Sequence, residues 1–228
     1  MDFLKRHLDI VIFALLVLLF VGWPQLDLAV SGWFYDSLAG QWPREDAPFY
    51  VAVYGVFRYI PYLIVPVLLI GTGLTFWRSG LPASQRRVWV FLLVSLLAGP
   101  GILVHSVFKE GFERPRPKQV QEFGGKSGFT PAFEVSDSCE RKCRSFVSGH
   151  SAMAFWLMVF AWWTRRQVWL WLGIGLGALV SYVRIAQGGH FLSDTLFAGF
   201  ICYFFYRLLS WWLLGHSRIS PDPAEPKA

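Results

Sequence analysis

The chain reads as an all-α integral membrane bundle of six transmembrane helices with both termini cytoplasmic. Composition is the first reason. Hydrophobic residues make up 54% of the chain and charged residues 16%, where a soluble domain carries roughly 25% charged residues. Mean hydropathy of +0.42 agrees. Spacing is the second reason: apolar runs close to the ~20 residues that cross a bilayer recur between polar links. Charge placement is the third. Arg86-Arg87 and Arg165-Arg166 fall in links that share one side, which the positive-inside tendency makes cytoplasmic.

The spans follow in order. Leu8 to Trp23 is apolar apart from Asp9 and is closed by Pro24. Residues 24–57, broken by Pro24, Pro43 and Pro48, read as an external connection with amphipathic pieces lying on the bilayer. A second span runs from about Tyr59 to Trp77, kinked by Pro61 and Pro66. Val88 to Phe108 is the third and leads into a polar loop at 109–146. Val147–Thr164, Val168 to about Val183, and Asp194–Leu214 complete the set. Residues 1–216 form one membrane domain whose motif-bearing core is 88–214. The tail 217–228, with three prolines, reads as disordered and cytoplasmic.

The net charge of +6 points to anionic partners. In a membrane protein these are lipid headgroups before nucleic acid, and no nucleic-acid-binding module is present. Cys139 and Cys143 lie four apart in the polar loop. A disulfide, two free thiols or a metal site would each use that spacing, although no nearby His completes a metal set. Cys202 reads as a buried apolar filler.

Three polar stretches stand among the apolar helices: KEGFERPRP at 109–117, SFVSGHSA at 145–152 and RIAQGGHFLSD at 184–194. Span parity puts all three on one face of the membrane. Lys109, Arg116 and Arg184 offer charge-assisted hydrogen bonds to a phosphate dianion. Ser148 and Gly149 open a helix, where backbone N–H groups attract an anion. His190 and Asp194 lie four apart, so on a helix the carboxylate can hold one ring nitrogen and leave the other as nucleophile. His150 is placed to protonate a departing alkoxide. Arg114, Lys118 and Lys126 read as solvated loop charges, and His105 as a packed or lipid-edge histidine.

These stretches resemble the motifs of the type-two phosphatidic acid phosphatase family. Its first motif is Lys, six residues, then Arg-Pro, matched by Lys109 and Arg116-Pro117. Its second is Pro-Ser-Gly-His, matched by Val147-Ser148-Gly149-His150 with Val in place of Pro. Its third is Ser-Arg, five residues, His, three residues, Asp, matched by Val183-Arg184, His190 and Asp194 with Val in place of Ser. The resemblance implies a six-helix phosphatase that uses no metal or other cofactor. Lys109, Arg116, Arg184, Ser148 and Gly149 would bind phosphate; His190 would be the nucleophile, Asp194 its partner and His150 the acid. A weaker similarity, Phe-Gly-Gly followed by paired cysteines and Ser-Phe-Val-Ser-Gly, links the loop to bacterial lipid A phosphatases. The expectation is an enzyme of the bacterial inner membrane acting at its periplasmic face on a phosphorylated lipid, with a lipid A-like glycolipid favoured. Undecaprenyl pyrophosphate or phosphatidylglycerol phosphate is the alternative substrate. Phosphotransfer between lipids and non-catalytic carriage of a lipid phosphate are the alternative functions.

Overall fold

A computed structural model describes residues 7–78, 80–137 and 143–220, with the side chains of 105–107, 109 and 110 outside that description. It is helical, and among the described residues extended structure is limited to two isolated bridges, Asp36 with Gln41 and Val120 with Ser127.

Helix α1 (Leu8–Gly22) ends where Pro24 follows it, and α2 (Gln25–Gly32) leaves at an angle of 87°. Asp9 does not lie exposed in the apolar run: it pairs with Arg207 and accepts from Tyr203 Oη at 3.1 Å. Helix α3 (Pro48–Trp77) is 30 residues long and begins inside the expected connection, so residues 48–57 are helical. Pro48 occupies the first turn, where its missing N–H removes nothing. Pro61 and Pro66 are carried inside the helix. Helix α4 starts at Ala83, and past Leu96 it widens into a π-helix over Leu97–Phe108, which contains Gly99-Pro100-Gly101. Proline removes one backbone donor there. A last α-turn, Lys109–Phe112, ends at Glu113 in the left-handed region.

Helix α5 comprises Gly149–Phe155, a 3-10 turn at Trp156–Met158 and Val159–Thr164. It is the centre of the bundle and packs on α4, α6 (Gln167–Ala186) and α7 (Leu192–Leu214). The close approach of α6 depends on two glycines one turn apart. A Cβ on Gly173 would stand 2.5 Å from the Met158 backbone nitrogen, and one on Gly177 would stand 2.1 Å from the Phe155 ring. Small residues at this spacing let apolar helices meet backbone to side chain. Phe91, Leu96, Met158, Trp162, Phe197 and Tyr206 fill the core around α5.

Among the described residues, four helices are long and apolar enough to cross a membrane: α3, α4, α6 and α7. The bent pair α1–α2 makes a fifth if counted as one span. The described residues thus give four or five candidate spans, where six were expected. Helix α5 is interrupted by its 3-10 turn, and α1 alone has 15 residues. At the chain's end, Trp162 Nε1 donates to the Ser217 carbonyl at 3.1 Å and Gln167 Nε2 to Ser220 Oγ at 3.0 Å. Residues 221–228 of the expected tail lie outside the described residues.

Candidate active site

The ends of α4, α5, α6 and α7 are drawn together by hydrogen bonds between the three polar stretches. Ser145 N–H donates to the Arg114 carbonyl at 2.9 Å, Ser148 N–H to the Asp194 carbonyl at 3.0 Å, and Lys118 N–H to the Gly188 carbonyl at 3.2 Å. Ser148 caps α5, its hydroxyl accepting from Ser151 N–H and from Ser151 Oγ at 3.0 Å.

His190 is buried at 1% exposure, ahead of the first turn of α7. Its Nδ1 lies 2.9 Å from the Ser145 carbonyl and 3.6 Å from Asp194 Oδ2. A carbonyl only accepts, so Nδ1 carries the proton and the lone pair of the neutral ring lies on Nε2. The expected carboxylate–imidazole hydrogen bond is thus replaced by one to a backbone carbonyl, and Asp194 stands beside the ring as a charge. Its oxygens are engaged elsewhere. Oδ1 accepts from Arg114 Nη1 at 2.6 Å, and Oδ2 accepts from Ser145 Oγ at 2.5 Å and Phe191 N–H at 2.7 Å.

Arg114 is not a solvated loop charge. It is 1% exposed and every guanidinium nitrogen donates. Nε reaches the Thr130 carbonyl at 2.8 Å, Nη1 reaches Ser193 Oγ and Asp194, and Nη2 reaches Asp27 Oδ2 at 2.8 Å. Asp27, on α2, also accepts from the backbone N–H and hydroxyl of Ser193 at 2.9 and 2.5 Å. The Phe191 ring faces the guanidinium, 4.4 Å from Cζ to centroid. Burial pulls the Arg114 pKa down, but the carboxylates of Asp194 and Asp27 outweigh it and hold the pKa above its ordinary value.

The other two arginines differ. Arg184, 7% exposed at the end of α6, donates from Nη1 to Gln187 Oε1 at 2.5 Å, and Gln187 in turn donates to the Glu45 carbonyl at 3.1 Å. Arg116 precedes a 3-10 turn at Pro117–Gln119, with its N–H held by Gln119 Oε1 at 2.9 Å. The two guanidinium groups lie within Coulomb range of each other, and each has a buried Nε with no hydrogen-bond partner. Burying unsatisfied donors between like charges is costly unless an anion joins them. The Gly188-Gly189 turn closes over this place. A Cβ on Gly189 would lie 2.2 Å from Arg184 Nη2, and Gly188, at φ 62°, packs under the Trp42 ring.

His150, one residue into α5, packs its ring on Tyr54 of α3, with centroids 4.6 Å apart and planes at 30°. Tyr54 also faces Arg184, 4.7 Å from Cζ to ring centroid. An apolar groove of about 570 Å³ opens beside His150, lined by Phe57, Tyr62, Leu97, Pro100 and Met153 with Arg58 at its edge. Lys118 is exposed and paired with Glu45 at 2.5 Å. The Lys109 and His105 side chains lie outside the described residues, as does Cys139; Cys143 is disulfide-bonded and Cys202 is a buried thiol.

The sequence motifs therefore mark Arg116, Ser148, Gly149, His150, Arg184, His190 and Asp194 in the stretches that meet here. They do not mark Asp27, Tyr54, Arg114 or Ser145. A lone carboxylate in the apolar stretch QLDLAVSG was the available signal for Asp27, since such a group near a bilayer needs a partner.

A model of the PAP2 superfamily matches residues 88–218. A lipid A 4'-phosphatase of Francisella tularensis subsp. novicida is 33% identical over 201 residues, covering 82% of this chain and 89% of that protein. Lipid A 4'-phosphatases of Rhizobium leguminosarum and Rhizobium etli are 28% and 29% identical over 79% of this chain, and over 84% and 76% of their own lengths. No solved structure matches. A family match over more than half of the chain, and a relative 33% identical along most of both proteins, lead to one conclusion: the chain belongs to the PAP2 superfamily.

Proposed function

We propose that the protein is a membrane phosphatase that removes a phosphate monoester from a lipid A-like glycolipid through a phosphohistidine on His190. The observation that carries the reading is the pair of arginines, Arg116 and Arg184, whose buried Nε donors have no partner within the protein. A phosphate dianion supplies acceptors to both and neutralises their mutual repulsion. The names of the relatives support the lipid A-like substrate, and the apolar groove beside His150 suits an acyl chain.

In the first step, the Nε2 lone pair of His190 attacks phosphorus as the bond to the lipid oxygen breaks. His150 gives its proton to that departing oxygen. The arginines, joined by Lys109, the Ser148 hydroxyl and the N–H of Gly149, stabilise charge on the equatorial oxygens. The Ser145 carbonyl keeps the proton on Nδ1, and the Asp194 charge favours the cationic phosphohistidine. In the second step water attacks phosphorus, gives a proton to His150, and leaves inorganic phosphate with His190 restored. No metal takes part. The fold in the membrane is read as six crossings, with α1 and the interrupted α5 included, both termini cytoplasmic and the site at the periplasmic face of the inner membrane.

The test is a panel of lipid A, undecaprenyl pyrophosphate, phosphatidylglycerol phosphate and phosphatidate in detergent, compared by kcat/KM. Lipid A should lead the panel, chelator should leave the rates intact, and His190→Ala should release no phosphate. Turnover surviving in His190→Ala, or lost with chelator, contradicts the mechanism. A lead for phosphatidate contradicts the substrate.

A further inference from the structure

Helix α3 lies outside the residues matched by the family model, and only 6% of its apolar window is buried, against 33–39% for the other spans. It nevertheless reaches the site. Tyr50 Oη lies 3.0 Å from Tyr182 Oη on α6, which fixes the register of the two helices. One turn further along α3, Tyr54 meets Arg184, two residues beyond Tyr182, and the same ring takes the His150 imidazole. Its hydroxyl is occupied separately, accepting from Arg58 Nη1 at 3.4 Å.

We propose that Tyr54 is a positioning residue that sets the His150 imidazole and the Arg184 guanidinium in a fixed mutual orientation through the face of its ring. The inference rests on the reading of His150 as proton donor and Arg184 as phosphate ligand. An aromatic face attracts a cation, so the ring holds Arg184 when no phosphate is bound, and its stacking on the imidazole fixes the plane of His150. The contacts are made by the ring. The hydroxyl faces Arg58, so phenylalanine should substitute and an aliphatic side chain should not. Leu68 of α3 enters the core, whereas Tyr54 is not part of it, so the contribution of the Tyr54 ring is this orientation.

The experiment compares the wild type with Tyr54→Phe, Tyr54→Leu, Tyr54→Met and His150→Ala on two substrates, a lipid phosphate and p-nitrophenyl phosphate. The nitrophenolate leaves without needing a proton, and kcat/KM excludes the later water step in which His150 serves both substrates alike, so a loss of acid catalysis shows in kcat/KM mainly on the lipid. Tyr54→Phe should keep kcat/KM within about twofold, while Tyr54→Leu should lower kcat/KM on the lipid roughly 10–100-fold, the range expected for a misplaced group. Its loss on p-nitrophenyl phosphate should be about tenfold smaller, as in His150→Ala. Tyr54→Met answers the same question if Tyr54→Leu does not fold. Unchanged kcat/KM in the aliphatic variants, equal losses of kcat/KM on both substrates, or damage by Tyr54→Phe as large as by Tyr54→Leu overturns the inference. If His150→Ala itself loses kcat/KM equally on both substrates, the donor role of His150 fails instead.

Discussion

Arg114 and Arg116 are two residues apart in one loop, yet the protein treats them oppositely. Arg114 is enclosed, and each of its nitrogens donates to a named acceptor: the Thr130 carbonyl, Ser193, Asp194 or Asp27. Arg116 turns toward Arg184, and both keep a buried Nε with no partner. The first arrangement is complete and serves the fold. The second is incomplete within the protein, and on the proposed function a phosphate anion completes it. The difference lies in hydrogen-bond satisfaction, because residue type, loop and net charge are shared. Arg114 also organises what the site needs: it holds Asp194 beside His190 and ties α2 to the start of α7 through Asp27.

The contrast can be broken most forcefully at Arg114. Arg114→Ala leaves two buried carboxylates unpaired, and removing one partner of such a network costs about 3–5 kcal/mol. The thermal midpoint in detergent should fall sharply, with little folded protein recovered; a midpoint near wild type would mean that the enclosed arginine is dispensable. Arg116→Ala should do the reverse. Losing a donor aimed at the transition state costs about 2.7–4 kcal/mol, or 10²–10³ in rate, while the midpoint holds or rises because the repulsion with Arg184 is relieved. Inorganic phosphate should raise the wild-type midpoint and leave that of Arg116→Ala unmoved.

Two smaller substitutions sharpen the same boundary. Asp27→Asn keeps an acceptor for Ser193 but weakens the tie to Arg114, and about 1–3 kcal/mol of stability should go. Activity per folded molecule, measured by initial rates on the purified fraction, should change much less. Ser145→Ala removes one donor to Asp194 while keeping the carbonyl that holds His190, so a loss of roughly tenfold or less in kcat is expected. A loss as large as that of His190→Ala would mean that the carboxylate network, and not the carbonyl, sets the state of the imidazole.

The same division separates what the sequence discloses from what it conceals. His190, Asp194, Arg184 and Arg116 sit at fixed spacings, and those spacings are visible without coordinates. Arg114 and Asp27 are 87 residues apart in sequence, and only the meeting of α2 with the polar loop explains either. Tyr54 looks like an interfacial aromatic until its ring is found against His150 and Arg184. The start of α3 was legible in principle, since Pro48 is as good a first-turn residue as it is a loop residue. The hydrogen bond from His190 to a carbonyl was not: residues four apart on a helix allow a carboxylate contact, but the Ser145 strand of loop competes for the same nitrogen.

The central claim is that His190 takes the phosphoryl group, and the direct measurement is to trap it there. Enzyme mixed with lipid phosphate labelled on phosphorus should be quenched in alkali within the first turnover, digested, and sequenced by mass spectrometry. The account predicts label on His190, present in Ser145→Ala and absent in His190→Ala. Label on His150, or complete turnover with no labelled histidine at any quench time, would contradict it.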